Sequence, residues 1–138
     1  MTEKTIFQKI RACNGRITKI KQSIVDILLQ KGCLISQSDI LGHLKKKKIS
    51  PDRSTLFREL SFLTKNQIIL KNTIADIDYY EIPHRHHHHA ICMKCNQIEK
   101  VDACSSLKKQ EKEISEKNNF HTINHSLEFY GYCQKCRI

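Results

Sequence analysis

The chain has 138 residues, enough for one ordinary domain or two small ones. No apolar run approaches the roughly 18 residues of a membrane span and the N-terminus lacks a secretory-type apolar segment, so a soluble, cytoplasmic protein with no membrane partner is expected. Of the formal net charge of +10, residues 1–70 carry +9 (14 Lys+Arg against 5 Asp+Glu), and residues 71–138 are almost balanced. A basic half suits a polyanion, because each neutralised phosphate releases counterions; a solvated basic face is the alternative reading of the same charge.

Residues 1–17 alternate charged and apolar side chains and read as an amphipathic helix. Ile17, Ile20, Ile24, Ile27 and Leu28 then recur at helical spacing until Gly32 ends the run. Ser36, with Asp39 three residues on, resembles a capping box that opens a helix through Ile40, Leu41 and Leu44. Ser50-Pro51 reads as an N-cap followed by proline at the first helical position. In the helix that follows, Leu56, Leu60 and Leu63 form an inward stripe. Ser54, Arg58, Ser61 and Lys65 line the opposite side, with Phe57 beside them.

Two β-rich runs follow, at 67–71 and 77–81. Three helices and a hairpin make a winged helix-turn-helix plan, in which the third helix offers Arg58 and its short polar neighbours to base edges and phosphates. A plain three-helix bundle with a polar face is the competing reading; the basic charge and the wing favour double-stranded DNA. Beyond Tyr80 the pattern changes to strands at 86–92 and 97–101, a helix near 105–117, and a strand at 122–130 whose Ile123, Leu127 and Phe129 share a face with His125. The composition shifts near residues 72–78. We therefore expect an α+β chain with a winged-helix DNA-binding domain over 1–78 and a small α/β metal-binding domain over 79–138.

Seven cysteines is an odd count, and closely paired cysteines in a reducing compartment more often hold metal than each other. Cys92-x-x-Cys95 and Cys133-x-x-Cys136 stand on either side of a strand–helix–strand unit. Four thiolates make a closed, tetrahedral, structural Zn²⁺ site with no open catalytic position; redox dithiols or disulfides are the alternative. Cys13, Cys33 and Cys104 are scattered, and buried inert thiols are their default.

The internal run from His86 to His89 carries a second signal. On a strand, His87 and His89 point to one face and His86 and His88 to the other, giving two adjacent half-sites. Imidazole suits zinc, iron, nickel or copper. His125 fits a satisfied core histidine and a ligand equally well. No HExxH, nucleophile elbow or phosphate loop is present, so no enzyme activity is expected. A small metal hydrolase using Glu81, or a zinc-buffering protein, are the readings from other classes.

These residues resemble the ferric-uptake-regulator family of metal-dependent repressors, which includes iron, zinc, manganese, nickel and peroxide sensors. Ser54-Thr55-Leu56-Phe57-Arg58-Glu59-Leu60 is similar to the family's A-T-V-Y-R-x-L recognition helix. The run from His86 to Cys95 and the run from His125 to Cys136 follow in the expected order. The resemblance implies a homodimer, with the C-terminal domain for dimerisation, bound to AT-rich inverted repeats in promoters. It places Thr55, Phe57 and Arg58 at DNA, Phe57 keeping the ring but losing the hydroxyl of the usual tyrosine. It brings Arg16 and Lys19 to the backbone or minor groove.

The same resemblance implies a sensory site of Glu81, His87 and His89, and a possible additional site of His86, His88 and His125. The ligand donated from the DNA-binding half aligns with Leu34, which cannot bind metal, so Cys33 beside it is the candidate. A carboxylate aligns with Lys100, leaving Glu99 or Asp102 as substitutes. The helix carboxylate of the additional site falls at Leu107 or Lys108. A histidine-rich, thiol-flanked environment points to a repressor of zinc-uptake genes sensing Zn²⁺, with Fe²⁺ or Mn²⁺ sensing and metal-catalysed peroxide sensing as alternatives.

Overall fold

A computed structural model describes residues 1–83, 87–102, 107–123 and 125–137. The chain divides into two compact units, Met1–Arg85 and His86–Ile138.

Local chemistry sets each helix of the first unit. α1 (Glu3–Ala12) is capped by the Thr2 side chain and buries Ile6 and Ile10, one turn apart. α2 (Lys19–Lys31) starts where Thr18 Oγ1 accepts the Lys21 N–H at 3.1 Å. It stops at Gly32, whose φ of 64° is a left-handed cap that costs glycine nothing. Ser36 Oγ accepts the Asp39 N–H at 3.1 Å and opens α3 (Gln37–Lys46), as expected.

α4 (Arg53–Lys65) starts later than Ser50-Pro51 suggests. Asp52 is its N-cap, with Oδ1 accepting the Thr55 N–H at 2.7 Å and the Ser54 hydroxyl at 3.0 Å. An ionised carboxylate is the stronger acceptor at the positive end of a helix, so Asp52 displaces Ser50 from that role.

The end of α4 also shifts the wing. Gln67 takes φ 57°, and the Ile68 N–H returns to the Leu63 carbonyl at 2.9 Å, closing the helix and turning Ile68 and Ile69 into the core. The strand expected from residue 67 therefore begins at Leu70. The wing is a three-stranded antiparallel sheet in which β1 (Ile35–Ser36) and β2 (Leu70–Ile74) flank β3 (Ile77–Glu81). Ala75 and Asp76, at φ 50° and 63°, form the tight turn between β2 and β3. β1, only two residues long, leaves no periodicity for sequence reading to find.

Ile24, Leu28, Ile40 and Leu44 meet the α4 stripe of Leu56, Leu60 and Leu63 in one buried cluster. Each such side chain contributes about 1.5–3 kcal/mol. The loop between α1 and α2 closes against this core. The Gly15 N–H donates to the Ile10 carbonyl at 2.9 Å, and a Cβ at residue 15 would stand 2.5 Å from Phe62 Cζ. Gly15→Ala is expected to lower the melting temperature, with an overpacking cost of about 1–3 kcal/mol. An unchanged melting curve would show that Phe62 yields freely.

The second unit is a three-stranded sheet, in which β4 (His88–Cys92) lies between antiparallel β5 (Ile98–Val101) and parallel β6 (Glu128–Gly131), with α5 (Lys108–Asn118) between β5 and β6 in sequence. The alternation over 122–130 yields a strand only from Glu128, because β4 starts at His88 and its ladder reaches back only to the Glu128 partner of His89. Ile123 is accordingly exposed. Among the described residues of this unit, the only buried apolar side chains are Ile91 and Cys92, while Phe120, Phe129, Tyr130 and Tyr132 are exposed. A unit with so little core needs a staple or a covering partner.

Candidate metal centres and DNA-facing surface

The four paired cysteines meet because β4 and β6 run in the same direction. Cys92 closes β4 opposite Gly131 of β6, so both Cys-x-x-Cys turns leave the same end of the sheet. The first turn is closed by the Asn96 N–H to the Cys92 carbonyl at 2.9 Å, the second by the Cys136 N–H to the Cys133 carbonyl at 2.9 Å. The four sulfur atoms all lie within 4.8 Å of one another, and Cys95 Sγ is 3.8 Å from Cys133 Sγ. Four sulfurs about 2.3 Å from a central ion stand about 3.8 Å apart on a regular tetrahedron, so the cluster fits a thiolate-bound ion.

The electrostatics agree. The backbone N–H of Cys133, 3.4 Å from Cys92 Sγ, holds the Cys92 thiol down at about 6, so it is a thiolate at neutral pH. Hydrogen bonding to the Cys133 sulfur pushes Cys136 up to about 12. One charge is stabilised and a neighbour keeps its proton, so a divalent cation releases protons when it gathers all four.

The expected sensory residues form two pairs, one in each unit. In the first unit, Cys33 Sγ and a Glu81 carboxylate oxygen lie within 4.8 Å of each other. The antiparallel pairing of Ile35 with Tyr80 puts Cys33, just ahead of β1, beside Glu81 at the end of β3. Leu34 is buried as an ordinary core residue. In the second unit, ring nitrogens of His87 and His89 lie within 4.8 Å, and the rings meet edge-on with centroids 4.9 Å apart. Asp102, exposed past the end of β5, belongs to neither pair, and Glu99 is exposed on β5.

His88 points the other way, as strand alternation requires; its ring lies 6.0 Å from that of His125. His125 Nδ1 is 2.7 Å from a Glu111 carboxylate oxygen. Leu107 and Lys108, where the resemblance puts a helix carboxylate, carry none; Glu111, in the first turn of α5, is the carboxylate that stands beside His125. The start expected near residue 105 lies outside the described residues, and a glutamate in the first turn was the available signal. His86, expected with this group, lies outside the described residues.

On α4, Ser54, Phe57 and Arg58 are exposed, Phe57 to 57%, and Thr55 is half-buried. Arg58 Nη2 donates to Thr55 Oγ1 at 3.4 Å. Hydrogen bonds from Thr55, then from Ser54, hold the Asp52 carboxyl below its ordinary value, so it stays ionised as the cap. Arg16 and Lys19 are exposed where α1 passes to α2.

A winged helix-turn-helix unit followed by a small α/β unit with a four-cysteine cluster is the build of a metal-dependent transcription regulator. The chain belongs to the Ferric uptake regulator family, whose model matches residues 13–130. It is 29% identical over 127 residues to the ferric uptake regulation protein of Synechococcus elongatus, covering 88% of this chain and 86% of that one. The Helicobacter pylori protein of the same name is 27% identical over 142 residues, covering 99% and 94%. Among solved structures, the Helicobacter pylori ferric uptake regulator, described as having three functional metal binding sites, superposes with a TM-score of 0.77 at 24% identity, over 99% of this chain and 94% of that one. The chain is therefore a metal-responsive, DNA-binding transcription regulator, not an enzyme, from a family of dimeric repressors. None of its described helices is long and apolar enough to cross a membrane.

Proposed function

We propose that the protein is a zinc-responsive repressor of metal-uptake genes, acting on AT-rich inverted repeats as a homodimer. Cys92, Cys95, Cys133 and Cys136 hold a structural Zn²⁺ in the dimerisation half. Cys33, Glu81, His87 and His89 hold the regulatory ion, and Thr55, Phe57 and Arg58 read bases while Arg16 and Lys19 approach the backbone. The ion favours DNA binding only through its preference for one arrangement of the reading and dimerisation halves.

The donor set supports zinc. The proposed donors, the Cys33 thiol, two imidazoles and one carboxylate, are softer than the oxygen-rich sets that suit manganese. Ferrous iron is the second reading, favoured by the relatives named as ferric uptake regulation proteins. Zinc binds most nitrogen–sulfur sites more tightly than iron, so bare affinity does not separate these readings.

The ratio of half-activating free Zn²⁺ to Fe²⁺ in operator binding does, when compared between the wild type and Cys33→His. Loss of the thiolate is expected to raise the free Zn²⁺ needed relative to Fe²⁺ by roughly tenfold or more, since even outer-shell changes reach that scale. An unchanged ratio would remove Cys33 from the site. Activation of the wild type by Fe²⁺ at lower free concentrations than Zn²⁺ would favour iron.

A further inference from the structure

Lysine is almost never fully buried without a partner, yet Lys21 in the first turn of α2 is only 6% exposed. Its ammonium gathers three partners. Nζ donates to the Arg16 carbonyl at 3.0 Å, lies 3.3 Å from Glu59 Oε2, and sits 4.2 Å from the centroid of the Phe62 ring. Glu59 and Phe62 are three residues apart on one face of α4, the helix that carries Phe57 and Arg58. Phe62 also bears against Gly15, where a Cβ would stand 2.5 Å from its Cζ. The loop carrying exposed Arg16 is thus fastened to α4 from both sides.

Apolar side chains pack such a position at least as well as a buried ion pair. What the ammonium adds is direction, a bond to one carbonyl, together with neutralisation of a carboxylate adjoining Arg58. We propose that Lys21 is a positioning residue for DNA binding, which fixes the Arg16 backbone to α4 so that Arg16 and the base-reading side chains meet the duplex in one register. This rests on the reading that Arg16 contacts DNA.

The test measures the salt dependence of binding to a duplex that the metal-loaded wild type selects from a random-sequence pool. Each lost phosphate contact lowers the slope of log affinity against log salt by about 0.9. R16A is expected to lower it by that amount per subunit, K21M by the same amount, and R16A/K21M by no more, because both remove one contact. K21R, which keeps a cation within reach of the carbonyl and Glu59, is expected to retain the slope. Should K21M fail to fold, K21M/E59L replaces the ion pair with apolar packing while still lacking the bond to Arg16, and the same loss of slope is expected. Weaker binding by K21M with the wild-type slope would reduce Lys21 to a stabilising residue and overturn the proposal, as would additive slopes in the double variant. A wild-type slope in R16A would remove the Arg16 contact itself, and the proposal with it.

Discussion

Cys92→Ser is expected to strip the second unit of its metal and unfold it, leaving the first unit intact. The reason is the balance of forces in each half. The first unit has one apolar core that runs from Ile6 to Ile82. The second buries Ile91 and Cys92 and, among its described residues, no other apolar side chain. Structural zinc in small thiolate sites contributes an apparent ~10–16 kcal/mol at neutral pH, far more than such a core supplies. Cys92, whose thiol is held down at about 6, ends the central strand, so its loss removes both a thiolate and the anchor of the first turn. Zinc content by native mass spectrometry should fall below one ion per chain. Circular dichroism should lose the second unit's signal, and the dimer should dissociate. A well-folded dimer carrying no zinc would contradict this.

The double variant His87→Ala/His89→Ala is expected to behave in the opposite way. Both residues lie outside the sulfur cluster, so structural metal, fold and dimer should persist. What should vanish is the response, because only differential binding of the ion to the DNA-competent arrangement couples metal to affinity. Coupling of about 1–3 kcal/mol corresponds to roughly 5–150-fold in operator affinity. Fluorescence anisotropy with labelled operator, run with and without added metal, reads that factor directly. The variant should show one affinity under both conditions, near that of the metal-free wild type. A preserved metal-dependent increase would assign sensing elsewhere, with His88, His125 and Glu111 the next group to test.

Much of this is legible in the sequence. Helix stripes and end signals are local, so Leu56, Leu60 and Leu63 announce a buried face and Ser36 and Gly32 announce boundaries. The sulfur cluster follows from spacing, although only the parallel pairing of β4 with β6 explains why two turns so distant in sequence emerge together. The failures have a common cause, which is competition between local signals that tertiary structure decides. Asp52 outbids Ser50 as a cap because it is charged. Ile68 and Ile69, apolar enough for a strand, are drawn into the core by the closure of α4. Ile123 and Leu127 fit a strand-like alternation, yet both precede the β4–β6 ladder, whose first pair is His89 with Glu128. Glu111 belongs to no motif of its own, and its place beside His125 emerges only from their 2.7 Å separation.

Zinc-edge X-ray absorption, recorded as the protein is loaded with one and then two equivalents of Zn²⁺ per chain, tests most directly whether two unlike donor sets exist in one subunit. The account predicts that the first equivalent shows a pure sulfur shell near 2.3 Å, and that the second adds a mixed shell with nitrogen or oxygen and a single sulfur. A first equivalent bound mainly by nitrogen and oxygen, or thiols found oxidised to disulfides in the folded protein, would contradict it.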